Sequence, residues 1–436
     1  MRVLFITNGS KPRTSPRTLI KRYVPNLSEH LKNTAALALP TGMLRYVLRG
    51  FSLEKRFPVG LGYLSAVLKR DGIEVDLVDR FVAPEYWAHR PIADYDLIGI
   101  HASTPYYQDA LQIVARLERE GYRGRIALGG PHVTLAPESV PPRVDFSVQG
   151  EAEYLISDLV QGNYPVGCLI RAPRINDLDQ LPRADYGLFM GARGAYDLST
   201  RYSPVTPFFN MHTSRSCPFA CSFCAVRDVW GRLYTLHSAE RVVDDIVYLK
   251  STYGAAGIYF REDLFAARPQ RVAEICNLLL DRNLDIVWAC ETRVDAVCDV
   301  ELVALMARAG CRGFYIGAES GSDRMLKKYN KEATVDQTVR ACQLARQNRI
   351  NVAMSIIVAD PEETLADRVA TWRMVRECRP AVLQLSAFNG DHTGLAPEPF
   401  PIYDPRPVVA PNLPNSTWSG QQDRRKPVGW AVAPIQ

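Results

Sequence analysis

Short apolar stretches alternate with amphipathic ones in the first part of the chain. Helical spacing of apolar residues predicts helices over 60–70 and 106–120. Near-continuous apolar strands separated by helices are typical of a parallel sheet covered on both faces. The sequence therefore predicts an α/β domain over 1–164, with a doubly wound, Rossmann-like parallel sheet. Its predicted strands span 2–7, 73–79, 97–101, 125–128 and 146–148.

A second alternating pattern begins at residue 208. Its six strand–helix units are fewer than the eight of a closed barrel, so the pattern predicts a partial (β/α)6 TIM-type barrel over 208–386. The intervening 165–207 is rich in turn residues and predicts a linker. Residues 387–436 contain nine prolines and predict an atypical tail without regular structure. The predicted strands of the second domain span 208–213, 257–260, 286–290, 313–316, 351–358 and 382–387.

Composition and charge exclude several function classes. The net charge is +5 without a long basic run, so nothing indicates strong attraction to nucleic acid or to a membrane surface. The chain has no run of about 18 apolar residues, and its N-terminus lacks the apolar region of a signal peptide. We therefore expect a cytoplasmic protein with no nucleic-acid partner and no stable membrane association. In that compartment, clustered cysteines favour a metal or catalytic site over disulfides. A P-loop or dinucleotide motif is absent from the sequence.

Three of the ten cysteines, Cys217, Cys221 and Cys224, fall within eight residues, directly after the first strand of the second pattern. Three thiolates on one short loop can hold a four-iron cluster and leave one iron open for a substrate or cofactor. A zinc site would need a fourth ligand, such as His212 or His237. Buried cysteines that only pack in the core are a third interpretation. The spacing favours the iron–sulfur cluster.

The motif Cys-x3-Cys-x2-Cys, with Phe223 before the last cysteine, resembles the signature of radical S-adenosylmethionine (SAM) enzymes. Residues 213–224 (Thr-Ser-Arg-Ser-Cys-Pro-Phe-Ala-Cys-Ser-Phe-Cys) are similar to the subgroup that carries an N-terminal cobalamin-binding domain. The resemblance covers roughly residues 1–385. It implies a 4Fe-4S cluster on the three cysteines, and SAM bound to the open iron and cleaved to a 5′-deoxyadenosyl radical. It also implies a small-molecule substrate and a reductant such as flavodoxin or ferredoxin.

The resemblance also assigns ligand contacts at predicted strand ends. Glu262 and Asp263 would lie near the SAM amino group, and Arg293 would meet its carboxylate. The implied SAM-binding residues are Phe223, Glu262, Asp263, Arg293, Glu319 and Ser320. The implied cobalamin-binding residues are Ser103, Thr104, Gly129, Gly130, Pro131, Gly150 and Glu151.

Two features qualify the cobalamin assignment. Taken alone, the glycine pairs also fit ordinary strand-to-helix turns. The Asp-x-His-x-x-Gly motif that supplies histidine to cobalt elsewhere is absent, and we assign neither His101 nor His132 to cobalt.

Three positions and one segment depart from the family pattern. Ser216 stands where relatives often have glycine, and Glu262 where they often have aspartate. Ala359 stands where glycine usually begins a turn, which is costly only if the turn requires a positive φ. Residues 388–394 do not match the Pro-Gly-Thr loop that usually follows the sixth strand.

The pairing of both cofactor signatures predicts a C-methyltransferase acting on an unactivated carbon, through a 5′-deoxyadenosyl radical and methylcobalamin. A non-methylating oxidation, cyclisation or rearrangement, for example of a tetrapyrrole, uses the same cofactors and is an alternative. A third interpretation is a cofactor-binding protein that has lost turnover through its altered C-terminus.

Overall fold

A computed structural model describes residues 1–7, 56–80, 82, 91–191, 196 and 202–388. Within these ranges, two six-stranded parallel sheets form the framework. The predicted tail lies outside the described residues from position 389 onward. No helix of the described part is long and apolar enough to cross a bilayer.

The first sheet has the strand order β2-β1-β3-β4-β5-β6, and every pair is parallel. The order reverses between β1 and β3, and ligands in such sheets bind at the carboxyl ends of the strands beside the reversal. The strands are β1 (Arg2–Thr7), β2 (Glu74–Asp79), β3 (Leu97–His101), β4 (Arg125–Gly129), β5 (Phe146–Gln149) and β6 (Cys168–Arg171). The helices are α1 (Val59–Arg70), α2 (Tyr107–Arg119), α3 (Pro131–Leu135) and α4 (Ile156–Gln161).

The first sheet extends past its predicted end. Strand β6 lies within the segment 165–207 that the sequence predicts as a linker, and a short helix, α5 (Gly187–Met190), follows it. Only Ile170 of β6 is buried, because β6 is an edge strand with solvent on one side. An edge strand with one buried residue gives no alternating pattern, which explains why the periodicity misses it.

The second sheet runs in sequential order, β7-β10-β11-β12-β13-β14, and its end strands are β7 and β14. This confirms an open, partial barrel. Two short strands, β8 and β9, form a separate antiparallel ribbon beside it. The strands are β7 (Phe208–Met211), β8 (Ser214–Arg215), β9 (Thr235–Leu236), β10 (Gly257–Phe260), β11 (Val287–Arg293), β12 (Cys311–Glu319), β13 (Asn351–Val358) and β14 (Val382–Ala387). The helices are α6 (Val226–Trp230), α7 (Ala239–Tyr253), α8 (Pro269–Asp281), α9 (Val300–Arg308), α10 (Asp323–Lys328), α11 (Val335–Gln347) and α12 (Leu365–Cys378).

Local signals fix where the second-domain helices begin and end. The Ser238 side chain accepts the Arg241 amide at 3.1 Å and starts α7, which ends at Gly254 with φ +69°. Capping boxes start α11 at Thr334 and α12 at Thr364. These helices therefore start where the sequence supplies side-chain acceptors for the first free amides.

A hydrophobic cluster joins α1 and the segment that follows β6 to the barrel. The Phe57 ring, just before α1, stacks on Phe189 at 5.0 Å between ring centroids and lies 5.4 Å from Phe209 of β7. The buried Asn210 side chain also exchanges two hydrogen bonds with the Phe57 backbone, at 3.1 and 3.0 Å. The start of α1 is thereby fixed to the first strand of the barrel, which sets the two carboxyl edges relative to each other.

Candidate functional site

The three clustered cysteines lie on the loop between β8 and α6, at the carboxyl end of the barrel strands. Each is partly exposed and none forms a disulfide. Burial raises the pKa of Cys217 and raises that of Cys224 to about 12, and each of these thiols also feels the charge of Cys221. Binding of a metal cluster by Cys217 and Cys224 would therefore be coupled to the release of their protons.

The donor set fits a cluster better than a single zinc ion. Among the described residues, no three His, Cys, Asp or Glu side chains are grouped to hold one metal ion. His237, a candidate fourth ligand, has one ring nitrogen 3.1 Å from the Tyr63 hydroxyl and the other 2.9 Å from Asp179. Three thiols on separate irons of one cluster need not converge on a point, as zinc ligands must.

Glu262 anchors the start of the cysteine loop. Its carboxylate accepts the backbone amide and the hydroxyl of Thr213, the latter at 3.0 Å, and the amide of Ser214 at 2.6 Å. Arg271 closes the cluster by donating to the Thr213 carbonyl and hydroxyl. Burial raises the pKa of Glu262, while Arg271 and these donors oppose the rise. A SAM contact at Glu262 stays a prediction; the structure gives both carboxylate oxygens to the loop.

Arg293, at the end of β11, contacts the cysteine loop at Phe219 and Cys221. Its guanidinium stacks 3.6 Å from the Phe219 ring centroid, and one terminal nitrogen lies 3.6 Å from the Cys221 sulfur. The other terminal nitrogen donates to the Lys331 and Glu332 carbonyls, and Nε donates to Asp295 at 2.9 Å. These contacts fix Arg293 against the cysteine loop. The predicted contact between Arg293 and the SAM carboxylate stays a prediction.

Glu319 and Ser320, at the end of β12, are buried and have partners within the protein. Glu319 accepts from Lys331 Nζ at 2.9 Å, and its φ is +62°. The Ser320 hydroxyl lies 3.3 Å from the hydroxyl of Thr371 and accepts the Ser322 amide. A Cβ at Gly317 would overlap the Glu319–Lys331 pair, so the small residue there makes room for an ion pair.

Among the predicted SAM-binding residues, Phe223 and Asp263 keep some exposure to solvent, whereas the other four are buried. Phe223 packs edge-on against Tyr329 at 5.6 Å between centroids. Asp263 is exposed at the end of β10, yet the surrounding protein limits its hydration and raises its pKa to about 6. Hydrogen bonds from the Ser216 amide and the Trp230 side chain partly oppose that rise.

Two departures from the family pattern sit in the left-handed region. Ser216, directly before Cys217, has φ +77°, and Ala359, after β13, has φ +64°. Glycine adopts this region without the steric cost that a Cβ brings. The backbone at Ser216 and Ala359 is thus one in which glycine would be less strained than the residue present.

The predicted cobalamin residues gather at the carboxyl ends of three neighbouring strands. Ser103 and Thr104 follow β3; Gly129, Gly130 and Pro131 end β4 and begin α3; Gly150 and Glu151 follow β5. Gly130 has φ +106°, and a Cβ there would lie 2.9 Å from the Ala102 carbonyl oxygen. The glycines therefore allow tight turns, and direct contacts to cobalamin stay predictions.

The two histidines of this edge differ in their surroundings. His132 is buried, stacks on Tyr107 at 3.7 Å, and has its ring nitrogens 3.2 Å from the Thr104 and Ser139 hydroxyls. Burial lowers the pKa of His101 to about 4. His132 is thus committed to hydrogen bonds within its own domain.

Glu151 points to the second domain. One of its oxygens accepts a hydrogen bond from Arg215. The other accepts the Ile175 amide at 2.8 Å and forms an ion pair with Arg174 at 2.5 Å. Burial opposes the charge on Arg215, but Glu153 and Glu151 outweigh that effect and raise its pKa. A cobalamin contact at Glu151 stays a prediction; both oxygens are engaged between the domains.

The two candidate sites face each other. Helix α3, which follows the Gly129–Gly130 turn, packs against α6, which follows Cys224. The sequence did not identify Arg215 and Trp230, which contact residues across this interface, or Lys331, which pairs with Glu319 inside the barrel. Arg215 alone carried a signal, because it lies inside the motif that precedes the cysteines.

Comparisons with known proteins match both halves of the chain. The radical SAM superfamily matches residues 211–375, and the B12 binding domain matches residues 53–160. An uncharacterized methyltransferase of Pyrococcus horikoshii is 28% identical over 347 residues, which cover 73% of each chain. The anaerobic magnesium-protoporphyrin IX monomethyl ester cyclase of Rubrivivax gelatinosus is 28% identical over 360 residues, 74% of this chain and 62% of the cyclase.

A solved structure shares the overall fold. The cobalamin-dependent S-adenosylmethionine radical enzyme OxsB, with aqua-cobalamin and SAM bound, superposes with a TM-score of 0.62 at 20% identity. The match covers 86% of this chain and 51% of OxsB, so this chain spans about half the length of that enzyme. The two matched domains imply a 4Fe-4S cluster, SAM and cobalamin as cofactors. The chain therefore contains a radical SAM superfamily domain over 211–375, preceded by a B12-binding domain over 53–160.

Proposed function

We propose that the protein is a cobalamin-dependent radical SAM C-methyltransferase that acts on an unactivated carbon of a small molecule. The observation that carries the proposal is the packing of α3 on α6, which brings the carboxyl edge of the B12-binding sheet against the cysteine loop. A methyl group donated on one side must reach a carbon activated on the other, so the two sites must be adjacent.

When bound, the cluster with SAM supplies a 5′-deoxyadenosyl radical, and cobalamin supplies the methyl group. The chain's own residues position these groups. Glu262 holds the start of the cysteine loop at Ser214, and Arg293 contacts its middle at Phe219. The turns at Gly130 and Gly150, both at positive φ, bring the backbone of the first domain close to the interface.

The substrate would enter the lumen of the open barrel. An apolar layer closes its base, formed by Phe208, Tyr259, Ala289, Ala353 and Val382 among others. Polar groups stand farther along the same faces of the strands: the Tyr259 hydroxyl donates to Glu291 at 2.8 Å, and the Tyr315 hydroxyl to Gln384 at 2.7 Å. A substrate with hydrogen-bonding groups suits such walls better than a bare hydrocarbon.

The test is anaerobic reconstitution with iron, sulfide and cobalamin, followed by incubation with methyl-labelled SAM and candidate substrates. Methyl transfer requires both S-adenosylhomocysteine and 5′-deoxyadenosine, together with a product heavier by one CH₂. Formation of 5′-deoxyadenosine alone, with substrate consumed and no label transferred, would contradict a methyltransferase.

The similarity to the magnesium-protoporphyrin IX monomethyl ester cyclases supports a second candidate, a non-methylating oxidation or cyclisation with the same cofactors. The product mass separates the two candidates. Binding of the cofactors without SAM cleavage under strong reductant would instead indicate a protein without turnover. A flavodoxin- or ferredoxin-type donor is the proposed source of electrons in either reaction.

A further inference from the structure

A buried cluster of charges joins the two domains beside both candidate sites. The Arg215 guanidinium lies between two carboxylates and donates to Glu151 and, at 2.6 Å, to Glu153. Arg174 pairs with the second oxygen of Glu151 at 2.5 Å. The side chains of Arg215, Glu151 and Glu153 are only 8, 1 and 5% exposed, so salt and water screen this network weakly.

The network connects the two loops that face each other. Glu151 and Glu153 follow β5, directly after the predicted cobalamin loop at Gly150. Arg215 is the last residue of β8 and lies two positions before Cys217. One guanidinium therefore fixes the root of the cysteine loop to the carboxyl edge of the first sheet.

Trp230 extends the network toward the SAM side. The Arg215 and Arg174 guanidinium groups lie 5.7 and 5.3 Å from the Trp230 ring centroid. The Trp230 side chain also hydrogen-bonds Asp263, the exposed carboxylate at the end of β10. Contacts thus run without interruption from Glu151 to Asp263 across the domain interface.

We propose that Arg215 is an interdomain positioning residue that sets the separation between the cysteine loop and the cobalamin-side loop for methyl transfer. The inference rests on the proposed function. A buried ion pair adds little stability compared with apolar packing, and its best-attested use is to fix one arrangement among alternatives. The planar guanidinium holds two carboxylates at once, which an ammonium on a flexible stem cannot do with the same geometry.

Arg215→Lys keeps the positive charge but removes the planar guanidinium whose two terminal nitrogens bond Glu151 and Glu153. The matched control is Arg183→Lys, because Arg183 pairs with Asp245 at 2.6 Å, away from the cysteine loop. Two readouts apply to both variants: hydrogen exchange of the apo protein, and the ratio of methylated product to 5′-deoxyadenosine after reconstitution. Iron and cobalamin contents are measured for each preparation.

We expect Arg215→Lys to load iron and cobalamin like the wild type and to exchange faster at 150–153 and at 226–230 together. Its ratio of methylated product to 5′-deoxyadenosine should fall about 10- to 100-fold, because small misplacements of reacting groups cost this much. Arg183→Lys should leave that ratio unchanged. Should Arg215→Lys fail to fold, Glu153→Gln, which removes one of the two carboxylates that Arg215 bonds, should give the same pattern to a smaller extent.

The proposal would be overturned if hydrogen exchange stayed at wild-type rates at both 150–153 and 226–230. It would also be overturned if methylated product and 5′-deoxyadenosine declined in proportion. If the wild type makes no methylated product, the methyltransferase proposal fails. The exchange experiment then still decides whether Arg215 couples the two loops.

Discussion

Glu262→Gln replaces a buried carboxylate with an amide of nearly the same shape. The carboxylate accepts three donors: two from Thr213 and one from Ser214. Glutamine offers one acceptor oxygen and two N–H donors. Its oxygen can accept both backbone amides, and an N–H can donate to the Thr213 hydroxyl, so the amides lose a charged acceptor and the hydroxyl loses the acceptor of its proton.

The expected cost follows from these contacts. A buried donor that loses its acceptor costs about 1–3 kcal/mol, and a hydrogen bond to a charged group contributes about 1.5–3 kcal/mol. Replacing a charged acceptor with a neutral one weakens each bond by about 1 kcal/mol, so the variant should destabilise the apo protein by about 1–3 kcal/mol. Arg271, which is buried beside Glu262, also loses a compensating charge.

Urea denaturation of the apo protein measures the loss, and hydrogen exchange at Thr213 and Ser214 locates it. Asp263→Asn is the control, because the Thr213 and Ser214 donors bond Glu262 and not Asp263. Because burial raises the pKa of Asp263 to about 6, removing its charge should leave the protein at least as stable as the wild type at neutral pH. SAM affinity is then measured for both reconstituted variants. If Glu262→Gln unfolds at the wild-type urea concentration but binds SAM more than tenfold more weakly, Glu262 is a ligand contact and the anchoring role is refuted.

Three further changes test the backbone and the buried histidines. Ala359→Gly should stabilise the protein by about 0.5–1 kcal/mol in urea denaturation, because φ is +64° there; destabilisation would show that the Ala359 methyl group packs favourably. Gly130→Ala should cost about 2 kcal/mol or more, because the new Cβ would lie 2.9 Å from the Ala102 carbonyl at positive φ, whereas Gly60→Ala in open space on α1 should be neutral or stabilising. Burial lowers the pKa of His237 to about 4, so the unfolded chain takes up a proton first as pH falls below about 6.5, and stability drops by about 2 kcal/mol by pH 4.5. His237→Gln should flatten the pH dependence of the denaturation midpoint over that window, and an unchanged slope would exclude His237 as its source.

The sequence predicts the parallel sheets well because their strands are buried on both faces. A strand such as 351–358 is apolar almost throughout and is found at its predicted limits. Strands β11 and β12 run farther than predicted, to Arg293 and Glu319, because polar residues at their carboxyl ends still pair with neighbouring strands. Hydrophobic periodicity locates the buried part of a strand, whereas hydrogen bonding sets its end.

The sequence predicts where the candidate site lies but not which partners its side chains have. The cysteine spacing and the order of strands place the loops at one edge, because parallel strands end together. Glu151 pairs with Arg215 and Glu319 pairs with Lys331, and each pair joins segments that only the tertiary packing brings together. No local pattern distinguishes a carboxylate that meets a ligand from one that meets a distant cation.

These partners change which groups are available to SAM. The Glu262 carboxylate accepts hydrogen bonds from backbone amides, and the Glu319 carboxylate pairs with the buried Lys331. Asp263 is the remaining predicted acidic residue of the SAM side, and it is exposed. A pKa raised to about 6 means that its charge is poorly solvated, and a bound ammonium group would relieve that cost. A contact between Asp263 and the SAM amino group therefore stays a prediction, whereas its neighbour Glu262 accepts the donors at the start of the cysteine loop.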